Sequence, residues 1–300
     1  MNTIEQARGR WPDIHAFLGV PRQHLKNKHG PCPMCGGRDR FRYDDKEGTG
    51  SYYCNQCGAG AGITLLMRLH KWDFPTACQK VDEVIGRTRH NPVVLKASNE
   101  KREAEIHKAL KEATKPEIVR EYLSARGLST LPPSLRGHPS LLHVDEDNRR
   151  TGSFPCVVAP ITGPDGKLQS AHRIYLADVK PKKKLMAPVE TVSGAAARLF
   201  PVSDTLGIAE GIETAIAAHE LFQIPVWAAI TAIGIEKFVP PPGLKRLVIF
   251  ADNDSNFQGQ KSAFALAHRL AQERTIAHIE VQLPPKSDTD WLDVLNEDRA

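Results

Sequence analysis

The hydrophobic and polar positions along this chain change texture twice. Residues 1–31 read as a short helix followed by a lead-in containing Pro and Lys. Ile63 to His70 has helical character, and Phe74 to Ile85, apolar at 74, 77, 81, 84 and 85, repeats at helical spacing. His90-Asn91-Pro92 closes this first segment. Residues 98–126 are highly charged, with apolar Ile106, Leu110, Ile118, Val119, Tyr122 and Leu123. They predict an exposed helical connector, interrupted near Pro116, and Pro132-Pro133 predicts a hinge. Cys156 to Ile161 then reads as a strand, Gly163 to Gly166 as a turn, and Leu168 to Leu176 as a returning strand.

From residue 205 strand and helix alternate. Leu206–Ala209, Val226–Ile230, Leu247–Ala251 and His278–Leu283 are apolar enough to be buried strands. Helices are expected over Ile212 to Leu221, near residue 237, and over Lys261 to Gln272. Such alternation predicts a small parallel sheet with helices on its faces, so the fold class is α/β. The expected domains are residues 1–92, a helical connector at 93–133, a basic subdomain at 134–204 and the alternating region at 205–300.

Charge sharpens the division. The net charge of +5 combines 32 Lys+Arg against 21 Asp+Glu in residues 1–200, a net of +11, with 8 against 14 in residues 201–300, a net of −6. A basic body favours a polyanion such as nucleic acid. An acidic last third is out of place in such a protein unless its carboxylates hold cations. No apolar run of about 18 residues occurs, which argues against a spanning helix. The first residues carry no apolar signal core, and six cysteines form no disulfide framework, so a reducing cytoplasm is expected. Cys78 and Cys156 stand alone and are expected to be buried thiols.

Two motifs carry chemistry. Cys32-Pro-Met-Cys35 and Cys54-Asn-Gln-Cys57 have the spacing of a four-thiolate zinc site, closed and structural, with a β-hairpin between the pairs. Between them Arg40, Phe41 and Arg42 interleave cations with a ring, and Tyr53 precedes the second pair, offering rings to bases and guanidinium groups to phosphates. The second motif is acidic. Glu210 follows one buried strand, and Asp252-Asn253-Asp254 follows another. In open parallel sheets ligands bind at the carboxyl ends of strands, so these three carboxylates are expected to share one edge and one or two Mg²⁺ or Mn²⁺ ions. Such ions suit phosphoryl transfer. Glu213, on the first helical turn, is given a supporting role, and Lys261, near a helix start, could meet phosphate.

Both motifs resemble those of bacterial and phage primases of the DnaG type. Cys32-Pro-x-Cys35-Gly-Gly-x-Asp39-Arg40-Phe41 with Cys54-x-x-Cys57-Gly58 is similar to the zinc-binding domain of the phage and plasmid branch, which takes part in template recognition. Glu210 with Asp252-x-Asp254 is similar to the Toprim domain of primases, topoisomerases and some nucleases. Glu121-Tyr122-Leu123-Ser124-Ala125-Arg126-Gly127-Leu128 resembles the element opening the primase catalytic core. The segments ending on His172-Arg173 and spanning Lys184 to Pro188 resemble its central hairpin and lysine-bearing stretch.

The resemblance implies a DNA primase, a nucleotidyltransferase joining ribonucleoside triphosphates into short RNA primers on single-stranded DNA. Glu210, Asp252 and Asp254 would be its catalytic magnesium ligands, and Arg126, Arg173 and Lys184 would face nucleotide or template. It also implies a separate helicase or replication protein as partner and a phage or mobile-element setting, because all four expected zinc ligands are cysteine. Thr289-Asp290-Trp291-Leu292-Asp293 is similar to a closing element of phage-type Toprim proteins. The rival readings are a Toprim nuclease or strand-passage enzyme, and a non-catalytic single-stranded DNA-binding replication factor.

Overall fold

The computed structural model describes residues 3–86, 92–145 and 149–299. They form two compact units, one ending at Glu100 and the other beginning at Lys101. The expected stop at His90-Asn91-Pro92 has its first two residues outside the described residues. Among the described residues no helix is long and apolar enough to cross a membrane.

The first unit opens with helices α1 (Thr3–Ala7) and α2 (Trp11–Phe17). A four-stranded antiparallel sheet follows, in the order β1 (Gly30–Cys32), β2 (Gly36–Tyr43), β3 (Tyr52–Cys54) and β4 (Gly58–Gly60). Helices α3 (Gly62–His70) and α4 (Phe74–Ile85) complete it. Asp73 accepts the Thr76 N–H and caps α4. Trp11, Ile14, Phe41, Tyr52, Leu65, Leu66 and Val81 make the core. Gly62 is required here, since a Cβ would stand 2.2 Å from the Trp11 ring.

The second unit is one nine-stranded mixed sheet with helices on both faces. Its helices and strands begin with α5 (Pro92–Glu112), α6 (Pro116–Ala125), β5 (Arg136–Val144), β6 (Arg150–Thr162), β7 (Leu168–Tyr175), β8 (Lys183–Leu185) and β9 (Ala196–Ala197). The strand–helix alternation follows as β10 (Thr205–Ala209), α7 (Ile212–Phe222), β11 (Val226–Ala228), α8 (Ala232–Lys237), β12 (Arg246–Phe250), α9 (Gln258–Glu273), β13 (His278–Gln282) and α10 (Trp291–Asp298). The order is β13-β12-β10-β11-β9-β6-β7-β8, with β5 paired to β6. Pairing among β10–β13 is parallel, and β9 joins this half antiparallel to the hairpin strands β6 and β7.

One face of the sheet is covered by α6, α7 and α10 through Val119, Leu123, Ile216, Trp291 and Leu292. The other is covered by α8 and α9 through Ile235, Ala263 and Leu266, and by α5 through Ile106 and Leu110. The segment expected to be an exposed connector thus buries an apolar stripe on each of its helices. The abundant charges mask a short hydrophobic repeat, because four apolar residues in some 25 suffice to dock two helices on a sheet.

Candidate catalytic rim and thiolate centre

The register between β10 and β12 pairs Ala209 with Phe250. Glu210 therefore leaves the sheet level with Ala251, and Asp252 and Asp254 follow at the same edge. The loop carrying them is tied down. Phe257 N–H donates to the Asp254 carbonyl at 3.0 Å, and Gln260 Nε2 donates to Asn253 Oδ1 and the Asp254 carbonyl, both at 2.9 Å. Asp288 N–H donates to the Asn253 carbonyl at 2.6 Å, and Ser255 N–H to Asp288 Oδ1 at 2.8 Å. Three non-glycine residues in the left-handed region border this edge: Ile230 (φ 72°), Phe257 (φ 62°) and Asp288 (φ 59°). Such backbone persists only where surrounding contacts over-determine it, and it clusters at functional sites.

The electrostatics follow from crowding. Burial, then the charges of Asp290, Glu210, Asp254 and Asp293, push the Asp252 carboxyl up to about 7. Burial and Asp254 raise Glu210, partly offset by the Ala232 N–H. Asp252 Oδ1 is buried with no hydrogen-bond partner, and Asp254 Oδ2 accepts the Gly259 N–H at 2.9 Å. A buried orphan oxygen among like charges is the environment a divalent cation relieves. Among the described residues, however, only the four thiolates form a closed set of metal ligands. The three carboxylates come to one rim without forming such a closed set.

The sequence reading missed Asp290 as a member of this rim. It caps α10, accepting the Leu292 and Asp293 N–H groups through Oδ1, and Asp293 bonds back to its N–H. Its other oxygen accepts the Thr214 hydroxyl at 3.4 Å. The signal was present in the Asp290-x-x-Asp293 spacing, a capping box that fixes one acid on a helix start.

A second buried group lies on the α6/α7 face. Lys183 Nζ stands 2.7 Å from Glu213 Oε1, which also accepts the Tyr122 hydroxyl. Burial pushes the Glu213 carboxyl up, but Lys183 and Tyr122 outweigh it and hold it below its ordinary value. His172, on the same face, is driven down to about 4 by burial. Lys184, expected to face nucleotide or template, lies on the opposite face from Lys183. In β8 successive side chains alternate faces, so Lys184 points the other way and donates to the Val144 carbonyl at 2.5 Å. Arg173, paired with Lys184 across the ladder, donates to the Tyr175 hydroxyl at 3.0 Å and the Leu185 carbonyl at 3.3 Å. Arg126 ends α6, exposed, and Lys261 on α9 faces Glu236 at 3.5 Å.

In the first unit the ligand atoms of Cys32, Cys35, Cys54 and Cys57 lie within 4.8 Å of one another, with Cys35 Sγ 3.7 Å from Cys54 Sγ. Tetrahedral zinc with Zn–S of about 2.3 Å sets sulfurs about 3.8 Å apart, so the four residues fit the ion. Backbone N–H groups of Met34 and Cys57 donate to Cys32 Sγ and Cys54 Sγ, each at 3.4 Å. Cys156 is buried apart from these, its thiol pushed up to about 12 by burial, and Cys78 is half-buried.

The hairpin between the pairs does not present Phe41 to a ligand. Alternation along β2 turns its ring inward, 1% exposed and stacked on Tyr52. Tyr53 and Arg42 sit directly opposite each other on the outer face, and Arg40 is exposed on β2. Arg42 and Tyr53, with His29, Asp44, Lys46 and the small residues Ala59–Ala61, line a groove of about 680 Å³.

Three segments of the chain match family models. Residues 27–63 match the zinc-binding domain of primase-helicase, residues 205–299 match the Toprim domain, and residues 98–199 match a domain of unknown function (DUF7146). Among solved structures, a DNA primase domain from Pseudomonas aeruginosa is 19% identical, covering 68% of this chain and 74% of its own at a TM-score of 0.43. A DnaG primase catalytic domain bound to ssDNA is 14% identical, covering 69% and 79% at 0.48. The primase fragment of the bacteriophage T7 primase-helicase protein is 15% identical, covering 91% and 96% at 0.39. The chain thus joins a segment that matches the zinc-binding domain of primase-helicase to one that matches the Toprim domain.

Proposed function

We propose that this protein is a DNA-dependent primase, making short RNA primers on single-stranded DNA. The observation that carries the reading is Asp252, whose buried and unpartnered Oδ1 faces the charges of Asp290, Glu210 and Asp254 on a chain that also holds a four-thiolate ribbon. Glu210, Asp252 and Asp254 would hold Mg²⁺ or Mn²⁺, with Asp290 beside them. When bound, the cation supplies charge neutralisation for the phosphates and activation of the attacking 3′-hydroxyl. The carboxylates orient it, and the pinned loop keeps their geometry fixed before substrate arrives.

The ribbon would hold one structural zinc ion through its four cysteines. Its outer groove suits template, with the Tyr53 ring as a stacking surface and Arg40 and Arg42 facing phosphate. Arg126 and Lys261, both exposed, and the face bearing Lys183 would meet nucleotide or template. Ribonucleoside triphosphates are the proposed substrates, a helicase or other replication protein the proposed partner, and the cytoplasm the proposed compartment. A strand-passage enzyme would need a tyrosine nucleophile. Tyr43, Tyr52 and Tyr175 are buried, the Tyr122 hydroxyl donates to Glu213, and the one exposed tyrosine, Tyr53, sits on the ribbon beside Arg42 rather than with the carboxylates.

The test is incubation with single-stranded DNA, labelled ribonucleotides and Mg²⁺, with products sized on a gel. Glu210→Gln and Asp252→Asn should each lose more than about 100-fold in product, exceeding the loss typical of residues that only support a metal ligand. DNA binding should be retained. Primers made at wild-type rate by either variant would reject the reading.

A further inference from the structure

Phe257 is the most exposed large hydrophobic side chain among the described residues, at 69%. Its ring joins none of the hydrophobic clusters of either unit. Its backbone is left-handed, φ 62° and ψ 17°, a conformation that disfavours a bulky side chain. Fold stability explains neither feature, since asparagine or glycine would suit the same backbone and spare water the ring. The residue is nevertheless held rigidly. Its N–H donates to the Asp254 carbonyl, its carbonyl accepts the Lys261 N–H at 2.9 Å, and Gly259 N–H is fixed on Asp254 Oδ2. An aromatic ring is thereby presented to solvent three residues from a rim carboxylate, at most about 10 Å of chain away. One helical turn on, the Lys261 side chain is 68% exposed and its ammonium is paired only loosely with Glu236, at 3.5 Å. An exposed pair of that kind exchanges readily for a phosphate.

We propose that Phe257 is a stacking platform for an unpaired nucleobase of the nucleotide or strand lying at the carboxylate rim, with Lys261 facing its phosphate. The inference rests on the rim being a nucleotidyl-transfer site. A ring with no hydrogen-bonding edge accepts every base by its π-face, which a template-directed enzyme needs at a position that must take four different bases. The loop that pins Phe257 also bears Asp254, so stacking there would fix a nucleotide against the catalytic edge.

The experiment uses the full chain and 2-aminopurine, a base whose fluorescence is quenched on stacking. One arm carries it in single-stranded DNA, the other as the ribonucleoside triphosphate with Mg²⁺. The wild type should quench at least one probe, and the arm that responds identifies whether strand or incoming nucleotide is held. Phe257→Ala should abolish that quenching and weaken binding about 5- to 140-fold, the range for one base–aromatic stack of about 1–3 kcal/mol. Phe257→Tyr should restore it. Phe257→Asn should lose it with an unchanged or higher melting temperature, which a purely structural role would not allow.

Phe264→Ala, on the same helix and 54% exposed, should leave quenching intact. No quenching by the wild type, Phe257→Ala within twofold of wild type in both arms, or an equal loss from Phe264→Ala would overturn the platform; the last would mark an apolar face for a protein partner instead. Primer synthesis on the same preparations separates the two claims. Primers made equally by wild type and Phe257→Ala sink the platform alone. Phe257-dependent quenching in a wild type that makes no primers sinks the polymerase alone.

Discussion

Lys183 Nζ meets Glu213 Oε1 at 2.7 Å, joining the last strand of the mixed sheet to the first turn of the helix that follows Glu210. The carboxylate is 5% exposed while the lysine is half-exposed. Removing the lysine therefore strands a buried charge, whereas removing both partners does not. Lys183→Ala should destabilise the protein by about 1–3 kcal/mol, less than a fully buried pair because solvent screens the lysine. Glu213→Gln in the same background should recover most of the loss. A double-mutant cycle by denaturant unfolding reads the coupling; an additive cycle would show that the pair is incidental.

The two ribbon aromatics should separate cleanly. Phe41 is core and Tyr53 is 48% exposed. Phe41→Ala should cost about 3–5 kcal/mol of stability in the ribbon. Tyr53→Ala should leave melting unchanged and weaken single-stranded DNA binding by about 1–3 kcal/mol. Calorimetry and fluorescence anisotropy on both variants check this, and equal effects of the two on melting would refute the assignment of faces.

These two aromatics also mark where the sequence was legible. Composition showed that rings and cations lie between the cysteine pairs, but only strand register says which ring turns inward. The same one-residue alternation sends neighbouring Lys183 and Lys184 to opposite faces, one to Glu213 and the other to the Val144 carbonyl. Spacing rules located the cysteine quartet and the two acidic strand ends because each is a local pattern with a fixed physical reason. Asp290 was hidden by distance: it lies 36 residues beyond Asp254 and reaches the rim only because α10 packs on α7. Ile106 and Leu110 were hidden by the charges around them, since a docking stripe needs so few apolar positions.

Acid should weaken the first unit through His15, while in the second unit His172 is opposed by Asp252, whose carboxyl, pushed up to about 7, takes its proton in the folded state first. His15 and His172 are buried, and each is driven down by burial from 6.5 to about 4. Tyr43 donates to His15 Nδ1, and His15 Nε2–H donates to the Gly62 carbonyl, an assignment that requires a neutral ring. At each histidine, between pH 6.5 and 4, the unfolded chain binds a proton that the folded one does not, so its contribution to stability rises with pH in that window and falls as pH drops. Each histidine contributes up to about 3 kcal/mol at full extent. Denaturant midpoints from pH 7.5 to 4.5 measure it; with Asp252→Asn removing the opposing carboxyl, His172→Asn should flatten the remaining slope of the second unit, and an unchanged slope in that background would sink the assignment.

Chelation should separate the two modules. A closed thiolate site binds metal as part of folding, so its loss unfolds the ribbon rather than emptying a rigid cage. Cys54→Ser or prolonged chelation should lower zinc well below one ion per chain and expose Trp11, now 1% exposed, to solvent. Tryptophan emission should shift to the red while binding of nucleotide by the second unit persists. Zinc loss with Trp11 still buried would mean that the helices hold the ribbon without metal.

Gly259 tests how tightly the acidic loop is built. A Cβ there would fall 2.6 Å from the Asp252 carbonyl, below any contact that real Cβ atoms show. The neighbour is backbone, so no side chain can swing aside. Gly259→Ala must shift either the start of α9 or the Asp252–Asp254 loop, at about 1–3 kcal/mol for an overpacked site. Because Gly259 N–H also anchors Asp254 Oδ2, the shift should reach the carboxylates. Primer synthesis should then fall far more than stability explains, with the variant still folded at 25 °C by circular dichroism. Full activity in a destabilised Gly259→Ala would show that the loop need not hold its present shape for catalysis.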